Sequence, residues 1–235
     1  MDNLIELKNV SKEYEFYGNT VDALNKINLT IKKEKIVVIL GSSGSGKTTL
    51  LNCISGLDRI TSGNIYFDGV DISKFSDRKL TKFRKDKLGF IFQNYNLLEH
   101  LNVYENILVG ASLGKNKDDL LEIMKLLDLT RHRKKPVYKL SGGEQQRVSI
   151  ARAIAKKPAV MFCDEPTGAL DEETGKKVLQ CLVKINETLK TTFVIITHNP
   201  GIALIGDEVI KMNSGKIVEI KENKKRVDPL DIPWG

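Results

Sequence analysis

The sequence contains few cysteines and no apolar run long enough to cross a membrane as a helix. Its three cysteines, Cys53, Cys163 and Cys181, form no C-x-x-C pair and lie among aliphatic residues. This pattern predicts buried, reduced thiols and argues against a zinc site. No stretch reaches the roughly 18 apolar residues of a membrane-spanning helix, so another chain would have to supply any path across a membrane. The N-terminal residues lack the basic-then-apolar pattern of a secretory signal, and we therefore expect a cytosolic protein.

The composition describes an ordinary globular protein with a basic balance. Of its 235 residues, 41% are hydrophobic and 29% are charged, which allows a sizeable core and excludes a disordered chain. The net charge of +7 would suit nucleic acid or an anionic membrane surface as a partner. Because acidic residues interrupt several of the basic runs, solvated basic faces are the favoured interpretation, and proximity to a membrane surface is the alternative.

Apolar spacing predicts two kinds of sheet. The alternation of apolar and polar residues that is typical of half-buried antiparallel strands occurs at residues 4–10, 27–31 and 64–67. Almost wholly apolar runs, typical of parallel strands covered on both faces, occur at residues 36–40, 160–163 and 193–196. Between these runs, residues 94–157 predict a mainly helical stretch, with a helix at 118–129 and breaks at Pro136 and Pro158. The sequence thus predicts an α/β core with a small β element in front and a helical insertion.

A glycine-rich loop directly follows the first apolar run. It reads Gly41-Ser42-Ser43-Gly44-Ser45-Gly46-Lys47-Thr48, matches G-x-x-x-x-G-K-[ST], and precedes a predicted helix start at 48–55. Glycines let such a loop turn its backbone N–H groups toward a polyphosphate, and the helix N-terminus adds partial positive charge. Lys47 is predicted to reach the β- and γ-phosphates of a nucleotide, and the Thr48 hydroxyl to ligate Mg²⁺. A plain glycine-rich turn is the alternative, which this context disfavours.

Two acidic residues, Asp164 and Glu165, end the second apolar run. Burying a bare carboxylate is costly unless a cation or hydrogen-bond donors compensate it. Asp164 is therefore predicted to hold Mg²⁺ through water, and Glu165 to polarise an attacking water near the γ-phosphate. Many strands end in this way by chance, so the prediction depends on the phosphate loop being on a neighbouring strand.

A predicted helix start near residue 141 combines a cap with two adjacent glycines. Ser141 and Glu144 have the spacing of a capping box for a helix that runs to about Lys156. A cap needs only those two residues, whereas Gly142 and Gly143 also leave backbone amides open to an anion. The whole run from Leu140 to Gln146 resembles the signature motif of ABC ATPases, and the resemblance covers nearly the entire chain.

This resemblance implies a P-loop NTPase core with a mainly parallel sheet, an N-terminal antiparallel β subdomain and a helical subdomain. It makes residues 1–235 a single ABC ATPase domain, in which about 1–93 and 158–235 form the core and β subdomain and about 94–157 the helical subdomain. In the family, the signature of one subunit faces the phosphate loop of the other, so a homodimer sandwiches two ATP molecules. The resemblance therefore implies ATP and Mg²⁺ as ligands, held between residues 41–49, which include Thr49, and Ser141 to Glu144 of a second copy.

Further single residues resemble family elements in the expected order. Gln93 resembles the Q-loop glutamine that touches Mg²⁺ and the attacking water, which would make it a metal ligand together with Thr48 and Asp164. Asp171, in Ala169-Leu170-Asp171, resembles the D-loop that crosses the dimer interface. His198, which follows the third apolar run, resembles the switch histidine that contacts the γ-phosphate.

Aromatic and histidine residues outside these elements give weaker predictions. Tyr14 resembles the family's aromatic residue that stacks on adenine, and Phe16, on the same face of a strand, is the alternative, with Tyr17 close by. His100 and His132 match no family position and are predicted to be surface residues.

Several phrases of the sequence resemble the ATPases that serve MacB-, LolD- and FtsX-like permeases. They are residues 4–10, 88–98, 103–106, 164–171 and 231–234. The resemblance implies mechanical work on a separate permease at the cytoplasmic face of the membrane, in lipoprotein release, peptide or antibiotic export or resistance, or control of cell-wall enzymes. By analogy, the permease would dock from Tyr95 to Glu105.

Three alternatives remain at this point. The first is the ATPase of a small-solute importer. The second is a non-transport ABC ATPase that acts on DNA or ribosomes, which the single cassette and the lack of a heptad run disfavour, so no nucleic acid partner is expected. The third is a nucleotide-binding switch outside the ABC family, which the signature run disfavours.

Overall fold

A computed structural model of the chain describes residues 2–16, 18–114 and 119–234. Within these ranges, none of the helices has the length and apolar character that a membrane span requires. The strands are β1 (Asn3–Phe16), β2 (Asn19–Lys32), β3 (Ile36–Leu40), β4 (Ser62–Phe67), β5 (Val70–Asp71), β6 (Leu88–Phe92), β7 (Val160–Asp164), β8 (Thr192–Thr197), β9 (Glu208–Asn213) and β10 (Lys216–Glu222). The helices are α1 (Lys47–Ile54), α2 (Asp77–Lys87), α3 (Val103–Leu113), α4 (Leu120–Leu126), α5 (Gly142–Ile154) and α6 (Glu172–Leu189).

The N-terminal part of the chain forms an antiparallel sheet in the order β2-β1-β4-β5. Leu7 on β1 lies opposite Leu29 on β2 and Ile65 on β4. All three side chains are buried, because the apolar residues of each strand share one face. The antiparallel strands predicted at residues 4–10, 27–31 and 64–67 are thus confirmed.

The second sheet has the order β10-β9-β3-β8-β7-β6; β3, β6, β7, β8 and β9 run parallel to one another, and the edge strand β10 pairs antiparallel with β9. Along β3, Ile36 and Val38 belong to one apolar cluster, whereas Val37 and Ile39 belong to another on the opposite face. A strand that contributes to two cores has no polar face, which explains why this run is wholly apolar. The predicted α/β fold with a mainly parallel sheet and an antiparallel β part is confirmed.

The parallel strands end level with one another. Leu40 pairs with Thr197, Asp164 pairs with Ile196, and Phe92 pairs with Asp164. The residues that follow β3, β6, β7 and β8 therefore meet at one edge of the sheet, where ligands bind in open α/β folds.

The helix predicted at residues 118–129 is shorter in the structure. Asp118 lies outside the described residues, and α4 covers only Leu120–Leu126. Asp128 has a left-handed backbone (φ 51°), which ends the helix before it. Leu127 and Leu129 are nevertheless buried, so their helical spacing reflected core packing beyond the helix end.

The prediction of buried thiols is confirmed for two of the three cysteines. Cys53 and Cys163 are buried, and burial raises the pKa of the Cys53 thiol to about 12. Cys181 is only partly buried, because it lies at the margin of the apolar cluster packed beneath α6. For Cys181 the prediction of a buried thiol was wrong.

Candidate active site

The phosphate loop connects the end of β3 to the start of α1. Gly44 and Gly46 have left-handed backbones (φ 77° and 96°), which side chains rarely adopt. A Cβ on Gly46 would also lie 2.6 Å from the carbonyl oxygen of Ala23, so only glycine fits there. Among the residues that the structure describes, no side chain caps α1, which leaves its first backbone N–H groups open to a phosphate.

Lys47 lies beneath the loop with its side chain folded back. Its Nζ donates to the carbonyl oxygens of Gly41 and Ser42, each at 2.8 Å, and the residue is only 8% exposed. A buried ammonium held by two carbonyl oxygens can exchange them for phosphate oxygens without leaving the loop.

Asp164 and Glu165 follow β7 at the edge where the parallel strands end. Burial raises the pKa of Asp164 above its ordinary value, the Glu165 carboxylate raises it further, and Lys47 opposes both effects. The backbone of Glu165 is left-handed (φ 48°), and its N–H donates to the carbonyl oxygen of Ile196 on β8 at 3.0 Å. This turn directs Glu165 toward the residues that follow β8.

Both carboxylate oxygens of Glu165 are held by residues at the end of β8. Oε1 lies 2.8 Å from Nδ1 of His198, and Oε2 accepts a hydrogen bond from Oγ1 of Thr197 at 3.2 Å. The His198 side chain is 69% exposed, so it can move without disturbing the core. The glutamate therefore has a fixed position and one mobile partner.

These residues share one cleft of about 650 Å³. The predicted site residues that line it are Ser43, Gly44, Ser45, Gly46, Lys47, Thr48, Thr49, Gln93, Asp164, Glu165 and His198. Gly41 and Ser42 contribute the carbonyl oxygens beneath Lys47. Four segments that are far apart in the sequence are thus brought together: the phosphate loop with the start of α1, and the residues that end or follow β6, β7 and β8.

The sequence predictions missed part of the cleft wall. The missed residues are Val21, Asp22, Ala23, Gly168, Ile196, Ser214 and Gly215. Gly215, in the tight turn between β9 and β10, donates its N–H to the carbonyl oxygen of Ser45 at 3.1 Å, so this turn supports the phosphate loop. The dipeptide Ser214-Gly215 marks a hairpin turn in the sequence, but nothing local indicates that the turn contacts the loop.

Thr48, Gln93 and Asp164 offer the cleft a hydroxyl, an amide and a carboxylate oxygen. Oxygen atoms of these kinds are the ligands that Mg²⁺ prefers, so the residues present fit the predicted cation. The raised pKa of Asp164 points the same way, because a nearby cation would relieve the cost of its negative charge.

Tyr14, the residue predicted to stack on adenine, contacts Asp58 and Lys12 in the structure. Its hydroxyl donates to Oδ2 of Asp58 at 2.7 Å, and Nζ of Lys12 lies 4.6 Å from its ring centroid. Burial first, and Asp58 second, raise the pKa of Tyr14 to about 12. Its cross-strand neighbour Val21 lines the cleft. The stacking role of Tyr14 stays a prediction, and the alternatives, the side chain of Phe16 and all of Tyr17, lie outside the described residues.

The signature run forms the predicted capping box at the start of α5. Oγ of Ser141 accepts from the N–H of Glu144 at 3.4 Å, and Oε2 of Glu144 accepts from the N–H of Ser141 at 2.9 Å. A Cβ on Gly142 would lie 2.7 Å from the hydroxyl of Tyr95. Among the described residues, the lining of the phosphate-loop cleft includes none of Ser141 to Glu144.

Asp171 caps α6 beside the signature. Its Oδ1 accepts from the N–H of Thr174 at 3.0 Å, and hydrogen bonds with Thr174 hold the pKa of Asp171 below its ordinary value. A Cβ on Gly143 would collide with Cγ2 of the same Thr174. The segment predicted as the D-loop therefore packs next to the signature glycines, and it directly follows Gly168, which lines the cleft.

We expect Asp164→Asn to raise the melting temperature of the nucleotide-free protein at neutral pH by roughly 1–4 °C. The pKa of Asp164 is higher in the folded than in the unfolded chain. At a pH between these two pKa values, the folded state therefore binds more protons than the unfolded state. Its charge therefore destabilises the fold in full above the folded pKa, and the penalty disappears as pH falls below the ordinary carboxyl pKa of about 3.9. Thermal unfolding of the wild type and of Asp164→Asn, from neutral pH to below about pH 3.9, measures the effect. A lower melting temperature for the variant at neutral pH would contradict it.

Comparison with known proteins gives consistent matches along the chain. The family described as ABC transporter matches residues 24–168. A Mycoplasma pneumoniae protein named putative ABC transporter ATP-binding protein MG065 homolog is 48% identical over 237 residues, which is 99% of this chain and 51% of that protein. The corresponding Mycoplasma genitalium protein is covered to 50%, so the chain spans about half the length of these two relatives.

A relative of similar length has solved structures. The Methanocaldococcus jannaschii ABC transporter ATP-binding protein MJ0796 is 42% identical over 223 residues, which is 91% of this chain and 95% of that protein. A dimeric structure of MJ0796 in a post-hydrolysis state, bound to ADP and Pi, has a TM-score of 0.83 at 38% identity, over 94% of this chain and 100% of that one. Export and import proteins also match. BceA, a bacitracin export ATP-binding protein of Halalkalibacterium halodurans, is 38% identical over 91% of this chain and 87% of that protein. MetN, a methionine import ATP-binding protein of Haemophilus influenzae, is 39% identical over 92% of this chain and 64% of that protein.

Proposed function

The chain belongs to the ABC transporter family and is an ATPase, and from this premise we propose that two copies close around two ATP molecules to drive a separate permease. One observation carries the dimer. The phosphate loop and Glu165 share a cleft whose described lining lacks the signature glycines Gly142 and Gly143. A second copy would bring its own signature helix to the open side of that cleft. The dimeric form of MJ0796 supports this arrangement.

The proposed binding step uses the phosphate loop. ATP would bind with its phosphates against the N–H groups of residues 43–49, and Lys47 would exchange the carbonyl oxygens of Gly41 and Ser42 for phosphate oxygens. Thr48, Gln93 and Asp164 would hold Mg²⁺, which supplies positive charge against the β- and γ-phosphates. Tyr14 or a neighbouring aromatic residue would stack on the adenine, and Asp171 would lie at the interface between the copies.

The proposed hydrolysis step uses the contact between Glu165 and His198. Each carboxylate oxygen of Glu165 already has one partner, and His198 covers Oε1. We propose that His198 turns to the γ-phosphate when ATP binds, which frees Oε1 of Glu165 for the attacking water. Thr197 would keep the carboxylate in place. Positioning and charge stabilisation would supply most of the rate gain.

The proposed permease contact is the segment from Tyr95 to Glu105, at the cytoplasmic face of the membrane. Arg152 on α5 donates to the carbonyl oxygens of Tyr95 and Asn96 at 3.2 and 2.6 Å. The buried amide of Asn106 donates to the carbonyl oxygen of Leu98 at 3.1 Å and accepts from the Leu98 N–H at 2.9 Å. A segment tied to α3 and α5 in this way would transmit permease movement to the signature helix.

We also propose that residues 1–235 form one ATPase domain, in which about residues 94–157 are the helical subdomain.

We propose a MacB- or FtsX-like permease, with lipoprotein release, peptide or antibiotic export or resistance, or control of cell-wall enzymes as its task. The similarity to BceA favours this reading, whereas the similarity to MetN favours the second candidate, a small-solute importer. Purifying the complex and determining the permease topology distinguishes them. A four-span permease with a large external domain supports the first candidate, and a permease without that domain supports the second.

The dimer is tested with Glu165→Gln, which should retain ATP and accumulate as a dimer in size-exclusion chromatography with light scattering. We expect Ser141→Arg, added to this variant, to keep ATP binding and lose the dimer, because the larger side chain fills the space before the signature amides. Ser76→Arg is the matched control, since Ser76 also caps a helix, α2, by accepting from the N–H of Lys79. A Glu165→Gln, Ser141→Arg protein that dimerised like the control would contradict the proposal.

A further inference from the structure

His132 contacts the signature glutamate. Its Nε2 lies 3.0 Å from Oε1 of Glu144, and the two side chains are only 12% and 17% exposed. The sequence predicted a surface histidine, and His132 is partly exposed: it lies in a short helical turn before α5, with its ring against the helix start. His100, the other histidine predicted at the surface, is exposed.

Glu144 is held at both oxygens. Oε2 accepts from the Ser141 N–H at 2.9 Å within the capping box, and Oε1 faces His132. Burial alone would raise the pKa of Glu144, but the Ser141 N–H, His132 and Lys135 together hold it below its ordinary value. The carboxylate therefore stays negative next to the backbone amides of Gly142 and Gly143. A negative charge at that place repels a phosphate unless a cation offsets it.

Two neighbours face Nε2 of His132. Nε2 can donate to Glu144 when it carries a proton, in the neutral Nε2–H tautomer or in the imidazolium, whereas Nε of Arg131, 3.0 Å away, can donate to Nε2 only when that nitrogen carries no proton. The two contacts therefore compete. Three other charged residues lie around the pair. Asp128 lies 3.7 Å from Arg131, and Lys135 lowers the pKa of Glu144. Arg147, the next charged residue on α5, lines a surface groove together with Glu144.

We infer that His132 is a positioning residue of the ATP site between two copies: it orients the Glu144 carboxylate and offsets its charge, so that the signature helix can accept the γ-phosphate of ATP bound to the other copy. This inference rests on the proposed dimer. His132 does not touch ATP in this scheme. It acts through Glu144, and its effect should appear in the affinity of the ATP-bound dimer more than in ATP binding to one copy.

The test measures ATP-induced dimerisation of the Glu165→Gln protein by analytical ultracentrifugation. We expect His132→Ala to weaken dimerisation on the order of 10-fold, the size of a charge-assisted hydrogen bond. His132→Arg, which keeps a hydrogen-bond donor and supplies a cation beside Glu144, should dimerise like the parent.

Glu144→Gln supplies the decisive background. Without a carboxylate to offset, His132→Ala should change dimerisation by less than about 2-fold. Lys125→Ala is the matched control, because it removes a cation that pairs with a glutamate, Glu122, on the exposed side of α4, and it should behave like its parent. Two results would overturn the inference, provided that ATP still dimerised the parent. In the first, His132→Ala weakens dimerisation equally in the Glu144 and the Glu144→Gln proteins; in the second, His132→Ala does not weaken dimerisation at all. If the Glu165→Gln parent itself stayed monomeric with ATP, the proposed dimer would fail first.

Discussion

Glu165→Gln is expected to slow ATP hydrolysis by about 100-fold or more while leaving ATP binding close to that of the wild type. The variant keeps the shape of the side chain and can still contact Thr197 and His198. It loses the negative charge that orients and polarises the attacking water in the proposed mechanism. The loss should therefore fall on kcat, with little change in the affinity for ATP. Steady-state phosphate release and a fluorescent-ATP titration on the same preparation measure the two quantities.

Glu173→Gln is the matched control for this experiment. Glu173 is also a glutamate close after β7, but it lies on the exposed first turn of α6 and pairs with Lys177 at 2.5 Å. We expect it to hydrolyse ATP at the wild-type rate. Hydrolysis by Glu165→Gln at more than about a tenth of the wild-type rate would remove Glu165 from the catalytic role.

Lys47→Met is expected to weaken ATP binding by about 10- to 100-fold, the range of one or two charge-assisted hydrogen bonds. Methionine fills a similar volume but cannot donate to phosphate oxygens. In the nucleotide-free protein the variant should fold, because the carbonyl oxygens of Gly41 and Ser42 lose one donor in a loop that can admit water. A fluorescent-ATP titration measures the affinity, and thermal unfolding without nucleotide checks the fold.

Lys33→Met is the matched control, because it removes a lysine that is exposed and paired with Asp68 at 2.7 Å, away from the cleft. Its affinity for ATP should equal that of the wild type. If Lys47→Met bound ATP as tightly as this control, the phosphate loop would not bind nucleotide through Lys47.

Short-range patterns carried much of the prediction. The phosphate loop, the capping box at Ser141 and the acids after β7 each combine residue types at a fixed spacing with a local backbone requirement, such as the left-handed turn at Gly46. Local chemistry of this kind does not depend on the rest of the fold. The three wholly apolar runs were recognised for a related reason, since a strand buried on both faces leaves no place for polar residues.

Elements shaped by a neighbour escaped prediction. β6 contains Gly89, which weakens the case for a strand in the sequence. In the structure a Cβ at this position would overlap the side chain of Met161 on β7, so the glycine leaves room for that side chain. The contacts of His132 with Glu144, and of Tyr14 with Asp58, likewise join segments that no local pattern connects.

By itself the sequence determined the family, the kind of sheet and the chemical groups of the site, because those follow from spacing within a few residues. Only the tertiary structure decided how the groups face one another: Glu165 against His198, Lys47 against its own loop, and the signature helix away from the cleft. The reason is physical. Such contacts depend on strand register and on the angle at which loops leave the sheet, and both are set by packing between segments far apart in the chain.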